Sequence, residues 1–156
     1  MKGTLLSVAA LAAALAAPAF AQQGDIARGR YVAVIGGCND CHTPGYPQKG
    51  GQVPESEWLT GVPVGFRGPW GTSYPTNLRL RVYGMTESQW VAYAKKLETR
   101  PPMPWFNVRA MSEVDLRAFY KFVKSLGAAG KPAPDYVPPS AEPNTPYIVF
   151  VPKAPG

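Results

Sequence analysis

Both cysteines of the chain and its only histidine fall within five residues, Cys38-Asn39-Asp40-Cys41-His42. No other feature narrows the possible folds so far. Residues three and four apart share one face of a helical turn, so two thiols and an imidazole can address one flat object. Cys-x-x-Cys-His is the attachment pattern of c-type haem, with thioethers from Cys38 and Cys41 and His42 as an axial iron ligand. Rival readings fit less well. A thioredoxin-type pair sits near a strand–helix–strand pattern, and none is visible. Structural zinc takes four Cys or His ligands, more than the chain owns. A plain disulfide gives no reason for His42 to follow Cys41.

The first residues read as an export signal over 1–21. Lys2 supplies the positive start, Leu5 to Ala17 the apolar core and Ala19-Phe20-Ala21 the cleavage site. The apolar run is short of the roughly 20 residues that span a bilayer, and Pro18 interrupts it. Cleavage leaves one domain in a periplasm-like compartment, with no membrane span. Removing Lys2 takes the formal charge from +6 to +5. The remaining positive charges are scattered, which argues against nucleic acid as a partner.

Along the chain, Asp25 to Ile35 has the pattern of a helix capped by Asp25, with Ile26, Tyr31, Val34 and Ile35 as its expected buried side. Gly36-Gly37 ends it. Thr43 to Tyr83 is so punctuated by Pro and Gly that a long loop is expected, and such loops inside a domain are usually functional. Trp58, Phe66, Trp70 and Tyr74 supply aromatic cover within it. Leu78-Arg79-Leu80-Arg81-Val82 alternates as a short strand would. From it, Arg79 and Arg81 either reach the haem propionates or simply face solvent.

Thr86 to Leu97 is the second expected helix, with a Thr86–Gln89 capping box and a Met85–Trp90 staple. Ser112 to Leu126 is the third, with Ser112 as cap, Met111 against Leu116 as staple and Gly127 as terminator. Its buried side is Leu116, Phe119, Phe122, Val123 and Leu126. Residues 128–156 change character: eight prolines between Pro132 and Pro155 imply an extended tail. The apolar run Tyr147 to Val151 lies on the domain as a strand or docks onto another protein.

With one histidine in the chain, the second axial ligand of the iron comes from elsewhere, and methionine is the usual partner in electron carriers. Met1 belongs to the signal, and Met85 and Met111 are accounted for by staples. Met103 has no such task. It sits in Arg100-Pro101-Pro102-Met103-Pro104-Trp105, where prolines stiffen the backbone. The alternatives are gap-filling by Met103, a lysine ligand or an open site.

These features resemble a class I cytochrome c over about residues 24–127, carried by Gly29 and Tyr31, Cys38-Asn39-Asp40-Cys41-His42, Pro102-Met103-Pro104, and Asp115-Leu116 through Phe122 to Leu126. The resemblance implies an all-α fold, three main helices with long loops around one covalent haem c, and a crossing of the first and last helices at Gly29 and Phe122. The domain is then 22–127, followed by a Pro-rich extension. Gly68 to Leu78 is similar to the haem-covering loop of bacterial cytochrome subunits that serve periplasmic dehydrogenases. By that likeness Tyr74, Asn77 and Trp105 help to seat the propionates. Two departures stand out: two cysteines allow a single haem, and the tail has no counterpart in the minimal fold. The implied role is a periplasmic electron carrier, not itself an enzyme, working between a dehydrogenase and a terminal oxidase or another cytochrome. Alternatives are a subunit of a dehydrogenase complex, docked through Tyr147 to Val151, and a gas sensor or peroxidase with an open sixth site. The lack of a second histidine disfavours the peroxidase.

Overall fold

A glycine decides how the two ends of the domain meet. In the computed structural model, which describes residues 23–152, helix α1 covers 23–35 and the long helix α6 covers Glu113–Leu126. A Cβ on Gly29 would lie 2.7 Å from Phe122 Cβ and closer still to the Ala118 carbonyl, so the two helices touch backbone to backbone where glycine allows it. Ion pairs flank the contact, Arg28 to Asp115 at 2.8 Å and Lys121 to Asp25 at 2.6 Å.

This crossing corrects the expected orientation of α1. Gly29, Val32 and Ala33 are buried and Ile26 packs beside them, whereas Val34, Tyr31 and Ile35 are exposed, the last two at 60% and 63%. Hydrophobic side chains suggested one stripe. The closest approach of the helix axes selected another, centred on the residue with no side chain.

Local signals account for the other long helices. Thr86 accepts from Gln89 N at 3.2 Å and Gln89 Oε1 accepts from Thr86 N at 2.8 Å, closing the capping box of α4, Glu87–Lys96. Ser112 caps α6 by accepting from Asp115 N at 3.1 Å. Trp90 of α4 stacks on Phe119 of α6 with ring centroids 5.4 Å apart and donates to the Leu116 carbonyl. Around that contact lie Val82, Val91, Ala94, Leu116 and Val123, and Trp58 adds an edge-on contact to Phe122 at 6.2 Å. The buried aromatic rings supply much of the apolar burial that holds the domain together.

Three shorter helices carry the connections: α2 at Cys38–His42, α3 at Leu78–Tyr83 and α5 at Trp105–Ala110. The α3 segment was expected to be a strand. Asn77 overrides the alternation, because its side chain accepts from Leu80 N at 3.0 Å and starts a helix. Arg79 and Val82, three apart, then become its buried side.

The described residues are mixed and not all-α: six helices stand beside a small three-stranded sheet. Strands β1, Gly65–Gly68, and β2, Gly71–Ser73, form an antiparallel hairpin, and β3, Tyr147–Val149, adds parallel to β1. The third strand comes from the tail, so part of the Pro-rich extension is fastened to its own domain. Phe150 meets Phe66 at 5.7 Å and Trp70 at 6.4 Å between ring centroids. No helix among the described residues is long and apolar enough to cross a membrane. The expected export signal lies outside them.

Candidate functional site

The turn that carries both cysteines is braced from two sides. Gly37 ends α1 in the left-handed region, φ 65°, and turns the chain into α2. Thr43 Oγ1 donates to Asn39 Oδ1 at 2.7 Å and accepts from Leu59 N at 2.8 Å, while Gly61 N donates to the His42 carbonyl at 2.8 Å. The Leu59 carbonyl in turn accepts from Leu78 N at 3.0 Å, linking the turn to α3. Asn39 and His42 are buried, and the half-buried Cys38 and Cys41 are unlinked thiols.

Burial pushes the Cys38 thiol up to about 12, with the Asp40 charge adding to it, and raises Cys41 for the same two reasons. Both remain protonated at neutral pH. A dithiol redox couple needs the opposite, a lowered thiolate. Burial also lowers the His42 pKa, partly offset by its bond to the Thr76 carbonyl. That bond is 2.7 Å long. A carbonyl only accepts, so Nδ1 carries the hydrogen and Nε2 keeps its lone pair. A neutral imidazole with one nitrogen anchored on a backbone carbonyl is how metal-binding histidines are commonly oriented.

Among the described residues no three His, Cys, Asp or Glu side chains gather into a metal-ion site, and zinc would need four ligands. Two neutral thiols one helical turn apart, with one oriented imidazole, fit a group that asks for two sulfurs and one nitrogen. c-Type haem is such a group.

Thr76 also borders two open clefts of about 490 Å³ and 580 Å³, within the range of about 300–1,000 Å³ typical of ligand sites. The first is lined by Tyr74, Asn77, Arg81 and Arg100 among others, and the second by Arg81, Tyr93, Lys96 and Leu97. Three cations thus face these clefts, set against Glu98 and Asp135. Such a lining suits carboxylates, including haem propionates.

The candidate residues divide over this geometry. Tyr74 and Asn77 line the first cleft, but both also hold the tail. The Tyr74 hydroxyl lies 2.7 Å from Thr145 Oγ1, and Asn77 Nδ2 donates to the carbonyls of Ala129 at 2.8 Å and Lys131 at 3.1 Å. Arg79 has a different task from the one expected. It is 5% exposed, and its guanidinium donates to the carbonyls of Ser56 and Gly127, each at 2.6 Å, and of Leu126. It closes the C-terminal end of α6, where carbonyls lack helical partners and the dipole favours a cation. Arg81, not Arg79, faces the clefts.

Met103 is half-buried in the segment before α5. That segment is tied to β2, since Ser73 Oγ donates to the Pro101 carbonyl at 2.6 Å, and Ser73 lies three residues from Thr76. Trp105 opens α5, with the Arg109 guanidinium 4.5 Å above its ring. The other three tryptophans donate to the carbonyls of Val53, Phe66 and Leu116. The Trp105 indole N–H has no acceptor among the described residues. Met111 packs on the core and reaches to within 3.4 Å of where a Cβ on Gly36 would stand, beside Cys38 Sγ at 3.6 Å.

Sequence reasoning missed Thr76, Ser73 and the inward turn of Arg79. Thr76 and Pro101 act through backbone carbonyls, which every residue type carries, so no signal marked them. The helix cap at Asn77 was the one clue that Arg79 and Arg81 point in different directions. No known protein family, characterised protein or solved structure matches this chain.

Proposed function

We propose that this chain is an exported electron carrier of the class I cytochrome c type, with one haem c tethered by Cys38 and Cys41 and ligated by His42 and Met103. One observation carries the reading: His42 follows the two thiols in a braced helical turn, with Nδ1 held 2.7 Å from the Thr76 carbonyl and Nε2 available. When bound, the haem supplies a one-electron ferrous–ferric couple.

The protein's part is to orient and to tune. The bond to Thr76 fixes the imidazole plane and raises its basicity as a ligand. The Met103 thioether, a soft donor, favours ferrous iron and raises the potential. Arg81 and Arg100 balance carboxylates at the clefts, and the Trp105 N–H is available to one of them. No side chain here needs to accept or release a proton for an electron to pass. The donor is then a dehydrogenase and the acceptor an oxidase or another cytochrome, met in the periplasm through a small transient interface. A free carrier is favoured over a complex subunit because the tail is fastened to its own domain, through β3 on β1 and Tyr74 on Thr145.

The test is optical. Mature protein from a host that exports it and attaches haem should be coloured, with oxidised and reduced spectra of a low-spin c-type haem. The colour should survive acid–acetone extraction. Cys38→Ala with Cys41→Ala should abolish that retention. Colourless mature protein that is folded would sink the reading.

A further inference from the structure

The tail touches Asn77 and the β1–β2 hairpin on one side and Arg100 on the other, and Tyr136 joins the last two. We propose that Tyr136 is a positioning residue that sets the Met103 loop against the wall holding His42, so that the C-terminal extension completes the site. This rests on the ligation by His42 and Met103 proposed above.

Tyr136 is seated on the β1–β2 hairpin by three independent contacts. Its hydroxyl donates to the Trp70 carbonyl at 2.9 Å. The next residue, Val137, exchanges two backbone hydrogen bonds with Thr72, at 2.7 and 3.0 Å. Gly71 makes room, since a Cβ there would stand 2.8 Å from the Tyr136 ring and 2.5 Å from the Val137 carbonyl. The strap starts beside the His42 acceptor, because Asn77, next to Thr76, holds the carbonyls of Ala129 and Lys131.

On its other side Tyr136 meets the Met103 loop. The Arg100 guanidinium lies 3.6 Å above the centre of the ring, three residues before Met103. Together with Ser73 on Pro101, it ties the hairpin to that loop. The first bond fixes one point. The stacking of a planar cation on a ring fixes a plane as well, so together they set the direction in which the loop leaves towards Met103. The cleft beside them is lined by Arg100 and Tyr136 together with Thr76. The extension therefore lines the cleft that Thr76, the His42 acceptor, borders.

The test uses the full-length ferric haem protein titrated with imidazole, which competes with a protein ligand on the iron. Apparent affinity rises as the ligated state is depopulated. Tyr136→Leu should bind imidazole about fivefold more tightly, the scale of one lost cation–ring contact. Arg100→Gln, exposed and harmless to folding, should shift binding in the same direction. Tyr136→Phe, which keeps the stack but loses the bond to the Trp70 carbonyl, should fall between wild type and Tyr136→Leu. Hydrogen exchange should quicken at residues 99–105 in Tyr136→Leu and stay unchanged in α6. Unchanged imidazole binding in both Tyr136→Leu and Arg100→Gln overturns the proposal, as does a loss of protection spread evenly through α6. A wild-type protein without the long-wavelength methionine–iron band overturns the ligand reading and this proposal with it. A wild-type protein with the band, together with unmoved Tyr136→Leu and Arg100→Gln variants, overturns the proposal alone.

Discussion

Gly29 and Phe122 stand so close that a methyl group on Gly29 would be 2.7 Å from Phe122 Cβ. The contact is worth a direct test because it sets which side of α1 is buried. Gly29→Ala should destabilise the protein by about 1–3 kcal/mol, the usual range for overpacking a tight core. Gly24→Ala is the control. Nothing lies within 4 Å of that position, so alanine's helix propensity should leave stability unchanged or raise it by up to about 1 kcal/mol. Thermal unfolding of the two variants should shift the midpoint in opposite directions or only for Gly29.

Arg79 and Arg81 separate structure from site. Arg79→Met removes two bonds to carbonyls at the end of α6 and one to the Ser56 carbonyl, and should cost about 2–4 kcal/mol, because buried acceptors lose their partner. Arg81→Gln should leave stability within about 0.5 kcal/mol, as is usual for exposed positions, while shifting the reduction potential of the haem protein. Urea unfolding and redox titration of the pair would check both halves.

The choice of methionine is open to a clean optical comparison. Met103→Ala should abolish the long-wavelength ferric band and lower the potential. Met111→Ala should keep the band and lose up to about 2 kcal/mol of stability, the low end for truncation to alanine, because its side chain is only partly buried. Its side chain packs on the core beside Gly36. The reverse pattern would assign the ligand to Met111.

Asp115 gives a pH dependence. Hydrogen bonds from Ser112 and Arg28 lower its pKa below the ordinary 3.8. The folded state therefore binds the proton less readily than the unfolded chain. Its contribution is complete above 3.8 and is lost as the pH falls from there through the lower folded value. The group is near the surface, so the effect is small. Asp115→Asn should make the acid limb of the stability curve shallower below pH 3.8, measured by denaturant unfolding across that range.

Much of this molecule could be read without coordinates wherever the deciding contact is local. The Thr86–Gln89 box, the Ser112 cap and the Gly127 stop lie within a few residues of the helices they bound, so α4 and α6 were legible; the crossing at Gly29 and Phe122 joins distant segments and was expected only from the family resemblance. The alternation of Leu78 to Val82 misled because Asn77, a single cap, outweighs a five-residue pattern. The buried face of α1 misled because the packing partner, not the hydrophobic count, sets a helix's rotation.

The sequence by itself determined the chemistry: two thiols and an imidazole one turn apart, a stiff methionine segment and an apolar run in the tail. Only the tertiary structure decided what those groups face. It paired His42 with the Thr76 carbonyl, sent Arg79 to the end of α6 and Arg81 to the clefts, and laid the tail on β1 with Tyr136 under Arg100. The reason is physical. Side-chain chemistry is written in residue identity, but backbone carbonyls and the planes of stacked rings are specified by geometry between segments far apart in the chain.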